Sequence, residues 1–369
     1  MKIRNPHRLK QILHKTTHYW DSEEVRPEVR QAFRKALRCG TLELGAEVYA
    51  SEHQELIVCH TCKSRGCTSC GHRATIQWQR ERWAALPDVA YRGVTFTMPK
   101  ELWAVFCENR RLADALPALA ASVLQGWVTA RHGLRVGIMT ILHTFNGRLE
   151  FNSHVHTMVS AGGLHMSSGC WVKSVYYDRN RLMTLWRNAV IDLLRTANRA
   201  RVLRSKVTRE EIETLLREQG ARWWSIKVQS FKSKEHFLRY AGRYVRRPPI
   251  AQRRIIYVSE RSVRFWAKDK KLRKRVYVEC SLEEFVRRWA QHIPKRYQHT
   301  MRHFGLFGPR AMNQTSAAIF AGIGQEQRPR PKRVSWAASL KRDFGRDPLI
   351  DCNGNRMHWV RRLPPDRGN

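Results

Sequence analysis

The chain lacks any run of 18 apolar residues, and its opening MKIRNPHRLK has no apolar signal core. Neither a membrane span nor a secretory leader is therefore expected. A cytosolic setting follows, where the nine cysteines are expected as metal ligands or buried thiols rather than disulfides. No Gly-x-x-x-x-Gly-Lys-Ser/Thr loop occurs, which excludes a fused helicase of the phosphate-loop type. Internal repeats are absent too. Acidic residues are scarce: 31 Asp plus Glu stand against 68 Lys plus Arg, a formal excess of +37. Self-repulsion on that scale opposes compact folding unless a polyanion offsets it, so nucleic acid is the expected partner and salt its antagonist.

What is present suffices for a folded body. Apolar residues make up 42% of 369 positions, enough to bury a core and to build one large or two to three small domains. Thirteen tryptophans and ten tyrosines fill that core, and some could stack on unpaired bases. Residues 22–38 repeat Val25, Val29, Phe33 and Leu37 at helical spacing, with Gly40 as a C-cap. Residues 74–83 read as a basic linking helix. YRGVTFTMP (91–99) alternates as a strand, 101–131 reads as helix interrupted at Pro117, and 135–145 is a strand. Helical patterns return at 180–197 and 209–218, before a strand-like WSIKVQSF. Two or three strands follow between 253 and 280, then a helix opened by Ser281. Beyond about Pro309 the patterning weakens into a basic tail. This order predicts an α+β fold with a central antiparallel sheet flanked by helices.

Two stretches carry chemistry. In FNSHVHTMVSAGG (151–163), strand alternation puts His154 and His156 on one face, about 7 Å apart, and Phe151, Val155 and Val159 on the other. Two imidazoles so placed can converge on one metal ion. In FLRYAGRYV, Tyr240 and Tyr244 share one helix face one turn apart, with Arg243, Arg246 and Arg247 around them and Pro248-Pro249 ending the helix. A phenol with a pKa of about 10 is a poor nucleophile near neutral pH. It can attack a DNA phosphate when a metal polarises the phosphodiester and arginines hold the flanking phosphates.

Together, HVHTMVSAGG and YAGRY resemble the HUH nucleases (His, hydrophobic residue, His), and within them the two-tyrosine rolling-circle transposases of the insertion-sequence ninety-one family. The likeness extends to CGT at 39–41, TCKSRGCTSCG at 61–71, VTFTMPKELW at 94–103, LHTF at 142–145, RYVRRPPI at 243–250 and FWAKD at 265–269. The resemblance implies Tyr240 and Tyr244 as nucleophiles and His154 with His156 as ligands of magnesium or manganese. Ser153 stands where the family commonly has Pro. A third ligand is open among His143, Glu150, Asn152 and His236. A tight turn at Asn146-Gly147 would separate His143 from His154, whereas a loop centred near 148–149 would set them opposite. The LHTF likeness favours His143.

Cys59, Cys62, Cys67 and Cys70 read Cys-x2-Cys-x4-Cys-x2-Cys, a zinc-type spacing. The short middle loop strains a one-ion site, and His53, His60 or His72 could substitute. The resemblance places Cys62, Cys67 and Cys70 in an amino-terminal zinc-binding domain and leaves Cys59, His53 or Cys39 to complete it. In the tail only Cys352 remains of a segment that often bears a second zinc knuckle, so no metal is expected there.

The expected organisation is a helical and zinc-binding domain over 1–85, an HUH nuclease domain over 86–310 and a basic tail over 311–369. The resemblance implies a cytoplasmic, nucleoid-associated bacterial transposase that nicks and joins single-stranded DNA at element ends, hairpin ends among them, through a 5′-phosphotyrosine intermediate. A rolling-circle replication initiator shares that chemistry. A non-catalytic, zinc-dependent nucleic-acid-binding regulator is the alternative from another class.

Overall fold

The computed structural model describes residues 7–366 except 65, 69, 246, 247, 270 and 271. Its centre is a five-stranded sheet in the order Met301–Gly305, Gly137–Phe145, Phe151–Ser160, Tyr91–Phe96 and Ile226–Phe231. Every neighbouring pair is antiparallel. Val94, Phe96, Val155 and Val159 point to one face, where helices Trp103–Glu108, Arg110–His132, Arg179–Arg199 and Arg209–Ala221 cover them. Tyr91, Met139, Ile141 and Met158 point to the other, under Phe237, Leu238, Ala241 and Val245 of helix Lys234–Val245. A sheet covered on both faces explains why even Ser153, Thr157 and Ser160 of the histidine-bearing strand are buried. Among the described residues no helix is long and apolar enough to cross a membrane.

A second core joins distant parts of the chain. Leu9, Ile12 and Leu13 of helix Arg8–Lys15 and Val29 and Phe33 of helix Pro27–Arg38 pack with Ile255, Val263, Phe265, Phe285 and Trp289. The latter five come from a three-stranded sheet (Ile255–Val258, Ser262–Lys268, Arg275–Ser281) and helix Leu282–Ala290. Ser281 caps that helix by accepting from the Glu284 amide, as the sequence predicts. The weakly patterned segment expected as a basic peripheral tail carries regular structure. It forms helices Pro309–Gly322 and Trp336–Phe344, and its strand His358–Leu363 pairs with Ala46–Ala50 to complete a small sheet with Glu55–Cys59. Alternation is invisible there because that strand is exposed along almost its whole length.

The expected interruption at Pro117 does not occur. Helix Arg110–His132 runs through it, with the ring buried on the sheet-facing side. One missing ladder bond in 23 residues is outweighed by that burial. The break falls at Asn109 instead, whose side chain donates to the Val105 and Arg204 carbonyls and accepts from the Arg204 amide. These bonds replace the helical ones that the turn gives up.

Gly162, at the end of the histidine strand, lies against a passing backbone: a Cβ there would meet the Val172 carbonyl oxygen at 1.8 Å. Gly162→Ala is expected to destabilise by roughly 2–4 kcal/mol in urea denaturation. Gly126→Ala, whose Cβ meets nothing within 4 Å, should stabilise helix Arg110–His132 by up to about 1 kcal/mol.

Acid should also loosen the fold. Burial lowers His292 to about 4, against a bond from its ring to the Leu149 carbonyl and with Arg110 adding repulsion. Burial and Arg82 lower His303 to about 4 as well. The unfolded chain binds these protons at about 6.5, so stability is full above that pH and falls as pH drops toward 4. The loss is up to about 1.4 kcal/mol per pH unit for each histidine. Thermal melts between pH 7 and 4.5 should show it, with a shallower decline in His292→Gln.

Candidate active site

The turn between the two central strands sets the site. Asn146 Oδ1 accepts from the amides of Arg148 (2.8 Å) and Glu150 (3.1 Å), and the Asn146 amide donates to the Glu150 carbonyl at 3.1 Å. Leu149 adopts the left-handed conformation at φ 61°. The result is the longer loop over 146–150, with an irregularity between His143 and Phe145, and it places His143 directly opposite His154.

His143, His154 and His156 form one cluster whose ring nitrogens lie within 4.8 Å of one another. Neighbours fix the rings. His154 Nδ1 donates to the Asn152 carbonyl (2.8 Å), which leaves Nε2 with its lone pair. His143 Nε2 donates to the Tyr244 carbonyl (3.3 Å), which leaves Nδ1. His156 Nδ1 meets Thr95 Oγ1 at 3.3 Å, and its Nε2 stands 3.1 Å from His154 Nε2. Ligands at right angles on an ion with bonds of about 2.1 Å stand about 3 Å apart, so these nitrogens suit a shared cation. Thr95 is a supporting residue that no spacing in the sequence reveals. His236 is exposed on its helix and lies outside the cluster.

The tyrosine helix, Lys234–Val245, lies across this cluster. The Tyr244 ring stacks on His156 with centroids 3.8 Å apart and an interplanar angle of 22°. Tyr240 stands 5.0 Å from Tyr244 and 6.4 Å from His156. Both rings are half-buried, neither walled into the interior. Burial holds the Tyr244 phenol above its ordinary value, with Tyr240 adding to the effect and Arg243 opposing it. The Arg243 guanidinium lies 5.9 Å from the Tyr240 ring centre. Arg246 and Arg247 lie outside the described residues.

The four-sulfur cluster differs from the expectation. It consists of Cys39, Cys62, Cys67 and Cys70, with Sγ–Sγ distances of 3.4 Å for Cys39–Cys70 and 3.6 Å for Cys62–Cys70. Four thiolates around one zinc ion stand about 3.8 Å apart, so the spacing suits that ion. Cys59 is not in the group: it ends strand Glu55–Cys59 and pairs with Ala46 in the small sheet. Its place is taken by Cys39, which follows helix Pro27–Arg38, where the Gly40 amide donates to the His60 carbonyl. Sequence spacing favours Cys59 because the fourth sulfur lies 23 residues before Cys62, beyond any local knuckle pattern. His60 is engaged with Glu47 and the Leu44 carbonyl, His72 with Asp343, and His53 sits exposed between two strands. The sulfurs of Cys39, Cys67 and Cys70, together with burial, push the Cys62 thiol up, the penalty that a bound cation removes.

This cluster is mechanically tied to the tyrosines. Helix Gly71–Ala85 begins at Cys70 and packs against the tyrosine helix. A Cβ on Gly242 would meet Gln79 Nε2 at 2.5 Å and Thr75 Cγ2 at 3.0 Å, so Gly242 permits the close approach. Gln79 Nε2 donates to the Leu238 carbonyl (3.0 Å), and Lys234 donates to the Trp83 and Leu86 carbonyls while pairing with Asp88 (2.7 Å). Cys39→Ser is expected to lose tightly bound zinc by elemental analysis while Cys59→Ser retains it. Stripping the metal should expose 39–85 to proteolysis.

Comparison with known proteins agrees with this architecture. Residues 11–98 match a family described as "Transposase zinc-binding domain", and residues 137–315 match one described as "Putative transposase". The transposase for insertion sequence element IS801 from Pseudomonas savastanoi pv. phaseolicola is 31% identical over 339 residues, which span 88% of this chain and 82% of that protein. A Sinorhizobium fredii protein named as transposase y4qJ is 28% identical over 297 residues, 76% of this chain and 74% of its own. No solved structure matches. With a zinc-binding domain, a sheet-borne histidine cluster and this degree of likeness, the chain belongs to the insertion-sequence ninety-one family of transposases.

Proposed function

We propose that this transposase nicks and joins single-stranded DNA at the ends of a mobile element by tyrosine attack on a phosphodiester. The observation that carries the reading is the stacking of Tyr244 on His156, with Tyr240 one turn behind, above a cluster of three convergent imidazoles. His143, His154 and His156 would hold magnesium or manganese, and imidazole ligands favour manganese of the two. Such an ion, when bound, supplies polarisation of the scissile phosphate and offsets charge as it builds there.

The protein's own groups do the rest. A tyrosine Oη forms a bond to phosphorus while the bond from phosphorus to the 3′ oxygen breaks. The departing oxygen takes up a proton as a free 3′-hydroxyl, and the 5′ phosphate stays on the enzyme as a tyrosine ester. Because the ester retains the bond energy, a 3′-hydroxyl can attack it and restore a phosphodiester. Two tyrosines allow two strand ends to be held during one exchange. Arg243, exposed beside Tyr240, is placed to hold a flanking phosphate. Tyr240, Tyr244 and the three histidines thus divide into nucleophiles and ion ligands, and Cys39, Cys62, Cys67 and Cys70 would hold the structural zinc.

Incubation with labelled single-stranded oligonucleotides bearing the element's ends and manganese should give an SDS-resistant protein–DNA adduct. Tyr240→Phe/Tyr244→Phe should give none while still binding DNA. His143→Ala, His154→Ala and His156→Ala should each slow adduct formation by about 100-fold or more. Wild-type protein that binds DNA in manganese yet forms no adduct would instead be a zinc-dependent binding protein without catalysis.

A further inference from the structure

The sheet formed by Ile255–Val258, Ser262–Lys268 and Arg275–Ser281 has a buried face and an outward face of different chemistry. Inward, Ile255, Val263, Phe265 and Ala267 are buried against helix-borne side chains. Outward, the register sets Trp266 opposite Tyr277, Lys268 opposite Arg275, and Tyr257 opposite Arg264. Tyr257 and Tyr277 are 57% and 68% exposed. That exposure is far above what ring burial would give, and neither side chain serves the core.

Arg275 lies over the Trp266 ring at 4.7 Å, and Arg254 stands 5.5 Å from the same ring centre. Among the described residues of the face the carboxylate is Glu279, and Arg264 and Ser262 both engage it. Lys268 and Arg275 are left to act on an anion. The two tyrosines sit on the outer strands of three, about 10 Å apart across the sheet and two residues apart along it, roughly 12 Å in all, a span suited to bases two steps apart on an extended strand.

We infer that this outward face is a stacking platform for single-stranded DNA, with Tyr257 and Tyr277 under the bases and Lys268 and Arg275 beside the phosphates. Exposed rings alternating with cations recognise unpaired bases and a phosphate backbone together, whereas a duplex hides its base faces. Position supports this occupant. Arg254 donates to the Trp266 carbonyl (2.8 Å) and to the Gly147 carbonyl, and Arg148 pairs with Asp269. Gly147 and Arg148 belong to the loop that joins the His143 and His154 strands. The platform is therefore fastened to the turn of the hairpin that carries His143 and His154. The inference rests on the proposed action on single-stranded DNA and names where that strand lies beyond the cut.

The test uses the full-length, zinc-loaded protein and the anisotropy of fluorescein-labelled oligonucleotides, single-stranded or as a duplex. Tyr257→Ala/Tyr277→Ala should bind the single strand 10- to 100-fold more weakly and the duplex within twofold of wild type. Tyr257→Phe/Tyr277→Phe should restore single-strand affinity, because stacking needs the ring and not the hydroxyl. The salt dependence should keep its slope, since no phosphate contact is removed. Should the double variant be insoluble, Tyr277→Ala alone should weaken single-strand binding threefold or more. Affinity within twofold of wild type, or equal weakening for single strand and duplex, overturns the inference. So does a changed oligomeric state with unchanged affinity, which would mark the face as a protein interface. Adduct yield in manganese at saturating DNA is read in parallel. A wild type that forms no adduct sinks the tyrosine chemistry, whereas a normal adduct with unaltered affinity in the alanine variant sinks only the platform.

Discussion

The hairpin register between the strands of His143 and His154 is the constraint on which the site depends. A strand alternates its side chains with period two, so a slip by one residue would send His154 and His156 into the apolar layer and Val155 to the tyrosines. Three features forbid the slip. Asn146 folds the loop by taking two amides onto one side-chain oxygen, and Leu149 accepts a left-handed backbone to close it. On the far face, Val155 and Val159 are fully buried among helix side chains. The third is at the other end, where Gly162 and Gly163 let neighbouring backbones approach too closely for a side chain. The convergence of the three imidazoles is thus determined by turn chemistry and core packing rather than by the histidines themselves.

The second element of the site, the tyrosine helix, is held by a different part of the chain. Its buried side rests on the sheet through Phe237, Ala241 and Val245, and its back rests on helix Gly71–Ala85. Lys234 binds the last carbonyls of that helix, groups that would otherwise be left without helical partners. Gln79 adds a bond from the other direction by donating to the Leu238 carbonyl inside the tyrosine helix. Since helix Gly71–Ala85 starts at Cys70, a zinc ion at the four sulfurs fixes one end of the element against which the tyrosines are braced. The four-sulfur cluster thus supports the geometry of the tyrosines through packing, at a distance from the imidazoles they lie against.

Much of this was legible in the sequence, and what was not has identifiable causes. The central antiparallel sheet, the His154/His156 face and the Tyr240/Tyr244 face all follow from local periodicity, which is strong where the two sides of an element differ in chemistry. Whether His143 faces His154 depended on loop length, and Asn146-Gly147 alone does not distinguish a two-residue turn from the five-residue loop that forms. Cys39, one of three residues offered for the last sulfur position, ranked behind Cys59 because the chain after its helix must come back across 23 residues to bring it to Cys62. Pro117 misleads because propensity is local, while burial of its ring is a tertiary effect. The terminal strand His358–Leu363 lacks alternation since it is exposed along almost its whole length, and its partner, Ala46–Ala50, is far away in sequence.

The charge excess completes the physical picture. Many of the acidic side chains are engaged locally: Glu279 by Arg264, Asp269 by Arg148, Asp88 by Lys234, and Glu284 by Arg287 and Arg288. These pairs cannot balance an excess of +37, and exposed ion pairs contribute little stability in any case. The remaining cations repel one another in the compact state and gain most from a polyanion laid along them. A ligand that binds only the folded form stabilises it in proportion to its occupancy. Nucleic-acid binding and fold stability are therefore linked in this chain, and the hydrophobic layers on both faces of the central sheet must be large enough to hold the site together before any DNA arrives.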